Sequence, residues 1–179
     1  MMAQDSSKDL EGLLVVTVEQ AVAAPYTSCR LADAGARVIK IERPEGDFAR
    51  NYDSNALGNS AYFVWLNRGK ESVCLDLKDT KDIMLFKNII SKADILIQNL
   101  APGAFERLGL DLKKLRTEYP RLITCSISGF GDKGPYKNQK AYDMLIQAET
   151  GVIDITGHPN KADFDGRAKV GTSVCDISA

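Results

Sequence analysis

The chain has 179 residues, 44% of them hydrophobic and 26% charged, with 23 Lys+Arg against 24 Asp+Glu. That apolar content excludes a disordered chain, and 14 glycines with 6 prolines exclude a collagen-like or low-complexity one. A formal net charge of −1 gives neither the cationic footprint of a nucleic-acid binder nor a polybasic handle for a membrane surface.

Residues 1–10 are polar and read as a flexible tail, without the features of a signal or transit peptide. No apolar run approaches a bilayer span, so the expectation is a soluble, cytoplasmic domain. Residues 13–18 are a β-branched apolar run, the pattern of a buried strand. Residues 20–34 are helix-forming, with Pro25 near the start and Gly35 as the stop. Residues 37–43 alternate apolar and charged and predict a second strand, which completes a βαβ unit. Residues 44–59 form a long polar loop of a kind that often carries function. Residues 62–66 and 72–77 predict two strands joined by a short turn.

Further along, Ile83, Phe86, Ile89, Ile90 and Ala93 make a helical stripe over 80–93. Residues 94–99 predict a strand, 111–119 a charged amphipathic helix, 122–127 a strand and 142–153 a helix. Strands alternating with helices predict a Rossmann-like α/β fold, a mainly parallel sheet with helices on both faces. No repeat or linker divides the chain, so residues 1–179 read as one domain. Residues 170–179 begin a new apolar element at the end of the chain, the pattern of a truncated domain.

Several chemistries fail on residue type or spacing. The four cysteines, Cys29, Cys74, Cys125 and Cys175, include no CxxC pair and read as reduced, largely buried thiols. The one histidine, His158, lies in the turn-like stretch 156–160, and a metal site built on several histidines is excluded. Gly129, Gly131 and Gly134 spell GxGxxG, but Pro135 and a polar run follow where a dinucleotide site needs a helix. There is no GxxxxGK[ST] loop and no GxSxG elbow. What remains is a set of polar residues at predicted strand ends: Gln20, Arg43, Lys78 and Asn99. In open α/β sheets ligands bind outside the carboxyl ends of the strands. Arg43, Lys78 and Arg107 suit anionic phosphate groups. Each of these residues taken singly reads as a solvated strand-end side chain, and only their joint occurrence points to a site.

A family resemblance adds to this reading. Gln20-Ala21 with Ala24-Pro25, the run from Leu31 to Glu42, Leu66 to Lys70, and Leu75 to Lys78 resemble the class III CoA-transferases (the CaiB/BaiF, or formyl-CoA transferase, family). The likeness continues in Asn99 to Gly103, Arg107 to Leu110, Ser126 to Gly131 with Gly134-Pro135, Ala141 to Asp143, and Val170 to Ile177. It covers nearly everything from Leu10 to Ala179. The resemblance implies Asp176 as the catalytic nucleophile. It implies coenzyme A contacts at Gln20, Ala21, Arg43, Leu75, Asp76, Leu77, Lys78, Asn99, Leu100, Ala101, Arg107, Lys140, Ala141, Tyr142 and Asp143, with no metal. On the residues alone, Asp176 reads as a helix N-cap. A carboxylate of ordinary pKa is ionised at neutral pH and needs no base to attack a thioester.

The partners implied are an acyl-CoA donor and a carboxylate acceptor. The stretches 19–25 and 46–50 resemble transferases of small dicarboxylates such as itaconate or mesaconate. The family also implies a longer chain with a second domain, a glycine-rich loop and an interlocked homodimer. It includes 2-methylacyl-CoA racemases, whose catalytic histidine matches Tyr142 here; tyrosine is a poor base at neutral pH, so transfer is favoured. A non-catalytic CoA-binding fragment is the reading from another class.

Overall fold

The computed structural model describes residues 8–159 and 165–179. Five strands make a sheet in the order β3-β2-β1-β4-β5. They are β1 (Leu14–Val18), β2 (Arg37–Glu42), β3 (Lys70–Cys74), β4 (Ile95–Gln98) and β5 (Ile123–Ser126). The sequence predicted a mainly parallel sheet, and all four pairings are parallel. β1 lies between β2 and β4, so the chain winds outward to β3 on one side and then to β5 on the other. The carboxyl ends of β1 and β4 therefore flank the switch point of the sheet.

Helices connect the strands: α1 (Ala23–Asp33), α2 (Ala61–Asn67), α3 (Thr80–Ile90), α4 (Ala104–Arg107) and α5 (Leu112–Glu118). On one face Val16, Val18, Ile39, Ile41 and Leu96 pack with Phe86 and Ile90 of α3, Phe105 of α4 and Leu115 of α5. Phe86 and Phe105 meet edge-on, with ring centroids 6.3 Å apart, the arrangement aromatic quadrupoles favour. On the other face Val15, Val38 and Ile97 pack with Ala24 of α1 and Ala36. The alternation of β2 suggests one solvated face, yet Val38 through Glu42 are all buried, Lys40 and Glu42 included.

Three expectations are corrected. Residues 62–66 are α2, not a strand. The aromatic and β-branched content of Tyr62, Phe63, Val64 and Trp65 favours a strand, but capping prevails. Ser60 Oγ accepts the Phe63 N–H at 3.2 Å. Asp53 holds the Ala61 N–H at 2.9 Å and the Ser60 hydroxyl at 3.2 Å. The strand expected at 72–77 is β3, which starts at Lys70 because it pairs in parallel with β2, Cys74 opposite Glu42. Leu75 to Lys78 thus lie beyond its carboxyl end. The helix expected over 142–153 is two, α6 (Asp143–Glu149) and α7 (Val152–Ile155). Gly151 breaks it at φ +78°, a conformation that cannot continue a helix.

The described chain divides into two compact units, up to Ile127 and from Ser128 onward. Of the expected tail, residues 1–7 lie outside the described residues; Leu10 donates its N–H to Ala34 O at 3.0 Å and packs on the second face of the sheet. The second unit holds α6, α7 and α8 (Val174–Ser178). The GxGxxG stretch is followed by turns, as the sequence predicted. Gly129 is needed for close approach, because a Cβ there would come 1.9 Å from the Ala141 Cβ. His158 is exposed and its N–H donates to Gly166 O; Asn160 of the same stretch lies outside the described residues. All four cysteines are free, but only Cys29 is fully buried, and Cys74 is exposed. No helix among the described residues is long and apolar enough to cross a membrane.

Candidate functional site

A cavity of about 160 Å³ opens at the carboxyl ends of the first four strands. Val18, Glu19 and Gln20 enter it from β1; Ile41, Glu42 and Arg43 from β2, with Gly46 and Asp47 just beyond. Leu75, Asp76, Leu77 and Lys78 follow β3, and Leu100 and Leu108 follow β4. The aliphatic side chains give an apolar floor, and Arg43 and Lys78 are exposed at its edge. Arg43 Nε donates to Gly46 O at 3.0 Å. Such a cleft offers an apolar surface for a flat ring and cations for phosphate.

Seven residues singled out from the sequence lie on this wall: Gln20, Arg43, Leu75, Asp76, Leu77, Lys78 and Leu100. Asn99 acts through one of them. Its Oδ1 accepts the Gln20 N–H at 2.9 Å and its Nδ2 donates to Gln20 O at 2.8 Å. Both ends of its amide are therefore engaged with the backbone of the turn after β1. Ala21, next in that turn, has φ +66°. Ala101 and Arg107 are exposed and are not on the cleft wall; the Arg107 guanidinium folds back beside Gly103.

Sequence reasoning missed the charges buried beneath this wall. Lys40 Nζ donates to Asp47 Oδ2 at 2.7 Å and to Asn67 Oδ1 at 2.8 Å. Lys70 Nζ donates to Glu19 Oε1 at 2.7 Å, and the Ser28 hydroxyl donates to the same carboxylate. Glu42 accepts from Arg50, from the Ser72 hydroxyl at 2.7 Å and from the Asp47 N–H at 3.1 Å. Burial alone raises the Glu42 pKa, but these donors and the charge of Lys40 bring it down to about 2. Burial pulls Lys70 below the ordinary lysine value, against the Glu19 carboxylate. A signal for this network was present: charges on a strand with sheet neighbours on both sides need opposite charges nearby.

In the second unit, the structure brings together two of the residues the resemblance assigned to the site, with Asp176 against Asp143. Asp143 Oδ1 accepts the Cys175 N–H at 2.8 Å and the Asp176 N–H at 3.4 Å, and its Oδ2 accepts from Gln147 Nε2 at 2.6 Å. Gln147, fully buried, also takes the Val170 N–H on its Oε1 at 2.8 Å. Asp176 is not an N-cap: it sits in the first turn of α8, with Ser173 at the cap. Its pKa is not ordinary either. Burial, then the charge of Asp143, raise it to about 6. Lys140 and Tyr142 are exposed, and Ala141 packs on Gly129. Gln147 was missed; its spacing of four from Asp143 on one helix was the available signal. Among the described residues no cluster of three or more potential metal ligands occurs.

Known proteins match this chain in sequence and fold. The family model "CoA-transferase family III" matches residues 10–179. The acetyl-CoA:oxalate CoA-transferase of Acetobacter aceti is 42% identical over 168 residues, 93% of this chain and 42% of that protein. The succinate–glutarate CoA-transferase of Agrobacterium fabrum is 38% identical over 178 residues, 94% of this chain and 43% of that protein. A CaiB/BaiF family protein from Brucella suis superposes with a TM-score of 0.87 at 37% identity, covering 96% of this chain and 46% of that one. The chain thus spans less than half the length of the relatives it matches. It belongs to CoA-transferase family III.

Proposed function

We propose that this chain carries the coenzyme A cleft and the nucleophile of an enzyme that moves CoA between carboxylic acids. Asp176 is the nucleophile, and small dicarboxylates are the acceptors. The family match over residues 10–179 carries the reading. The cleft supports it by bringing Gln20, Arg43, Leu75 to Lys78 and Leu100 to one wall. The dicarboxylate class is supported by the names of two relatives, which act on oxalate and on glutarate, and by the resemblance of 19–25 and 46–50 to transferases of itaconate or mesaconate.

The chemistry runs through a covalent aspartyl thioester. The Asp176 carboxylate attacks the donor thioester carbonyl, the C–S bond breaks, and CoA leaves as a thiolate from a mixed anhydride. The thiolate attacks the aspartyl carbonyl of that anhydride, expels the donor carboxylate and leaves aspartyl-CoA. The acceptor carboxylate then displaces the thiolate, and the thiolate attacks the acceptor carbonyl of the second anhydride and regenerates Asp176. With a pKa of about 6, Asp176 is ionised at neutral pH yet more basic than an ordinary aspartate, which favours attack. Anchoring the nucleotide part of CoA lets its thiol end leave and return without dissociation.

The test is mass spectrometry of the full-length protein incubated with acetyl-CoA or succinyl-CoA and trapped with hydroxylamine. The expected result is a hydroxamate on Asp176. Exchange of the substrate α-proton with solvent deuterium in place of that adduct would overturn the reading in favour of a racemase. An Asp176→Asn protein that exchanges acyl partners as fast as wild type would also overturn it.

A further inference from the structure

The buried charges of the first unit end on the backbone of the cleft wall. Lys40 on β2 is 1% exposed and Asp47 is 3% exposed. Each oxygen of the Asp47 carboxylate has its own partners. Oδ2 accepts from Lys40 Nζ at 2.7 Å. Oδ1 accepts from Ala21 N at 3.1 Å and from Ala49 N at 2.9 Å. Lys40 is itself held by Asn67 Oδ1 at 2.8 Å and lies 5.1 Å from the Phe63 ring centroid. α2 thus fixes the ammonium, and the ammonium fixes which carboxylate oxygen faces Ala21.

Ala21 is one of two non-glycine residues with positive φ among the described residues. That backbone costs an alanine the equivalent of about a tenfold loss of population. Strain of this kind persists only where the surroundings over-determine it. Here they do so from two sides: Asp47 on Ala21 and Asn99 on both backbone groups of Gln20. Capping of the 3₁₀ turn Phe48–Asn51 needs only the Ala49 bond and accounts for neither the buried lysine nor the bond to Ala21.

We infer that the buried Lys40–Asp47 pair positions the Gln20–Ala21 turn, holding Ala21 in the left-handed conformation so that Gln20 stays on the wall of the cleft. Lys40 and Asp47 are positioning residues, and the inference rests on reading that cleft as the coenzyme A site.

Amide exchange at Ala21 and calorimetric titration of coenzyme A into the full-length protein test it together. In wild type the Ala21 amide is expected to exchange markedly slower than unbonded loop amides. In Asp47→Asn it exchanges about tenfold faster and coenzyme A binds about tenfold more weakly, the scale of one lost charge-assisted hydrogen bond. Adding Ala21→Gly to Asp47→Asn recovers most of the affinity, because glycine adopts positive φ unaided, whereas Leu57→Gly in the same background, at the other non-glycine residue of positive φ among the described residues, recovers none. Glu71→Gln, which breaks the exposed Arg37–Glu71 pair, leaves exchange and affinity unchanged. A glycine at position 21 that rescues no affinity, or one at position 57 that rescues it as well, overturns the inference. If Asp47→Asn does not fold, the wild-type protein decides: free exchange at Ala21 overturns the inference and protection upholds it. Wild type that fails to bind coenzyme A refutes the functional reading, while the exchange contrast still judges the turn.

Discussion

Asp47 in the first unit and Asp143 in the second both direct their oxygens at backbone N–H groups of segments remote in sequence. Asp47 reaches Ala21, 26 residues away; Asp143 reaches Cys175 and Asp176, 32 and 33 residues away. Their partners on the other side differ. Asp47 is neutralised by the Lys40 ammonium, whereas Asp143 is held by the neutral amide of Gln147. A compensated carboxylate can be fully buried as a mechanical clamp. One backed only by an amide keeps its field, and that field contributes to raising Asp176 to about 6. The same side chain thus fixes a turn in one place and both fixes and tunes a neighbour in the other.

The sharpest way to break this comparison is to remove the cation. Lys40→Met retains the apolar stem but leaves the Asp47 carboxylate buried without its charge partner, and the expected loss is about 3–5 kcal/mol. Denaturant unfolding of the first unit measures it. A loss below about 1 kcal/mol is the value of an exposed pair and would dissolve the distinction between the two carboxylates.

The second test acts on pH. Glu42, lowered from 4.5 to about 2, contributes stability that is present above its ordinary value and lost as pH falls toward 2. Asp176, raised from 3.8 to about 6, has the opposite sign. Its contribution is fully present below its ordinary value and is lost as pH rises through 6. Acidification from pH 7 to 5 should therefore raise the protection factors of the α8 amides, with the pH dependence of intrinsic exchange divided out, while leaving those of β1–β3 unchanged. Asp143→Asn removes the charge and keeps the shape. The Asp176 midpoint, followed by carboxyl NMR, should fall only part of the way to the ordinary range, because burial is the larger cause of the shift. A midpoint that stays at 6 would mean that Asp143 clamps α8 without tuning it.

The sheet was legible because parallel strands buried on both faces read as continuous apolar runs, as in Val15, Val16 and Val18 or Ile95, Leu96 and Ile97. α2 was not, because its aromatic and β-branched residues carry strand propensity, and the local cap at Ser60 is itself held by Asp53, beyond the window of a local pattern. Gln20, Arg43 and Lys78 were legible as polar residues ending strands, and the sheet topology gathers them. Asp47 and Lys40 were not. One looked like a loop acid and the other like the solvated side of an alternating strand; only the cover supplied by Asn67 and Phe63 of α2 makes them interior. Local pattern reports which residues are polar at an element's end, and tertiary contact decides which charges are buried.

The smallest effect expected is at Thr17, on β1 beside Lys40 in the sheet register. Thr17 is fully buried, and its hydroxyl has no hydrogen-bond partner among the described residues. The neighbouring donors and acceptors are committed elsewhere: Lys40 to Asp47 and Asn67, Ser28 to Glu19. An unpartnered buried hydroxyl costs about 1–3 kcal/mol relative to one that is bonded. Thr17→Val replaces it with a methyl of similar size and should stabilise the first unit by about 1 kcal/mol. Thermal unfolding gives the answer. A destabilised Thr17→Val protein would mean that the hydroxyl does belong to the polar layer, and that the layer extends along β1 beyond the ion pairs.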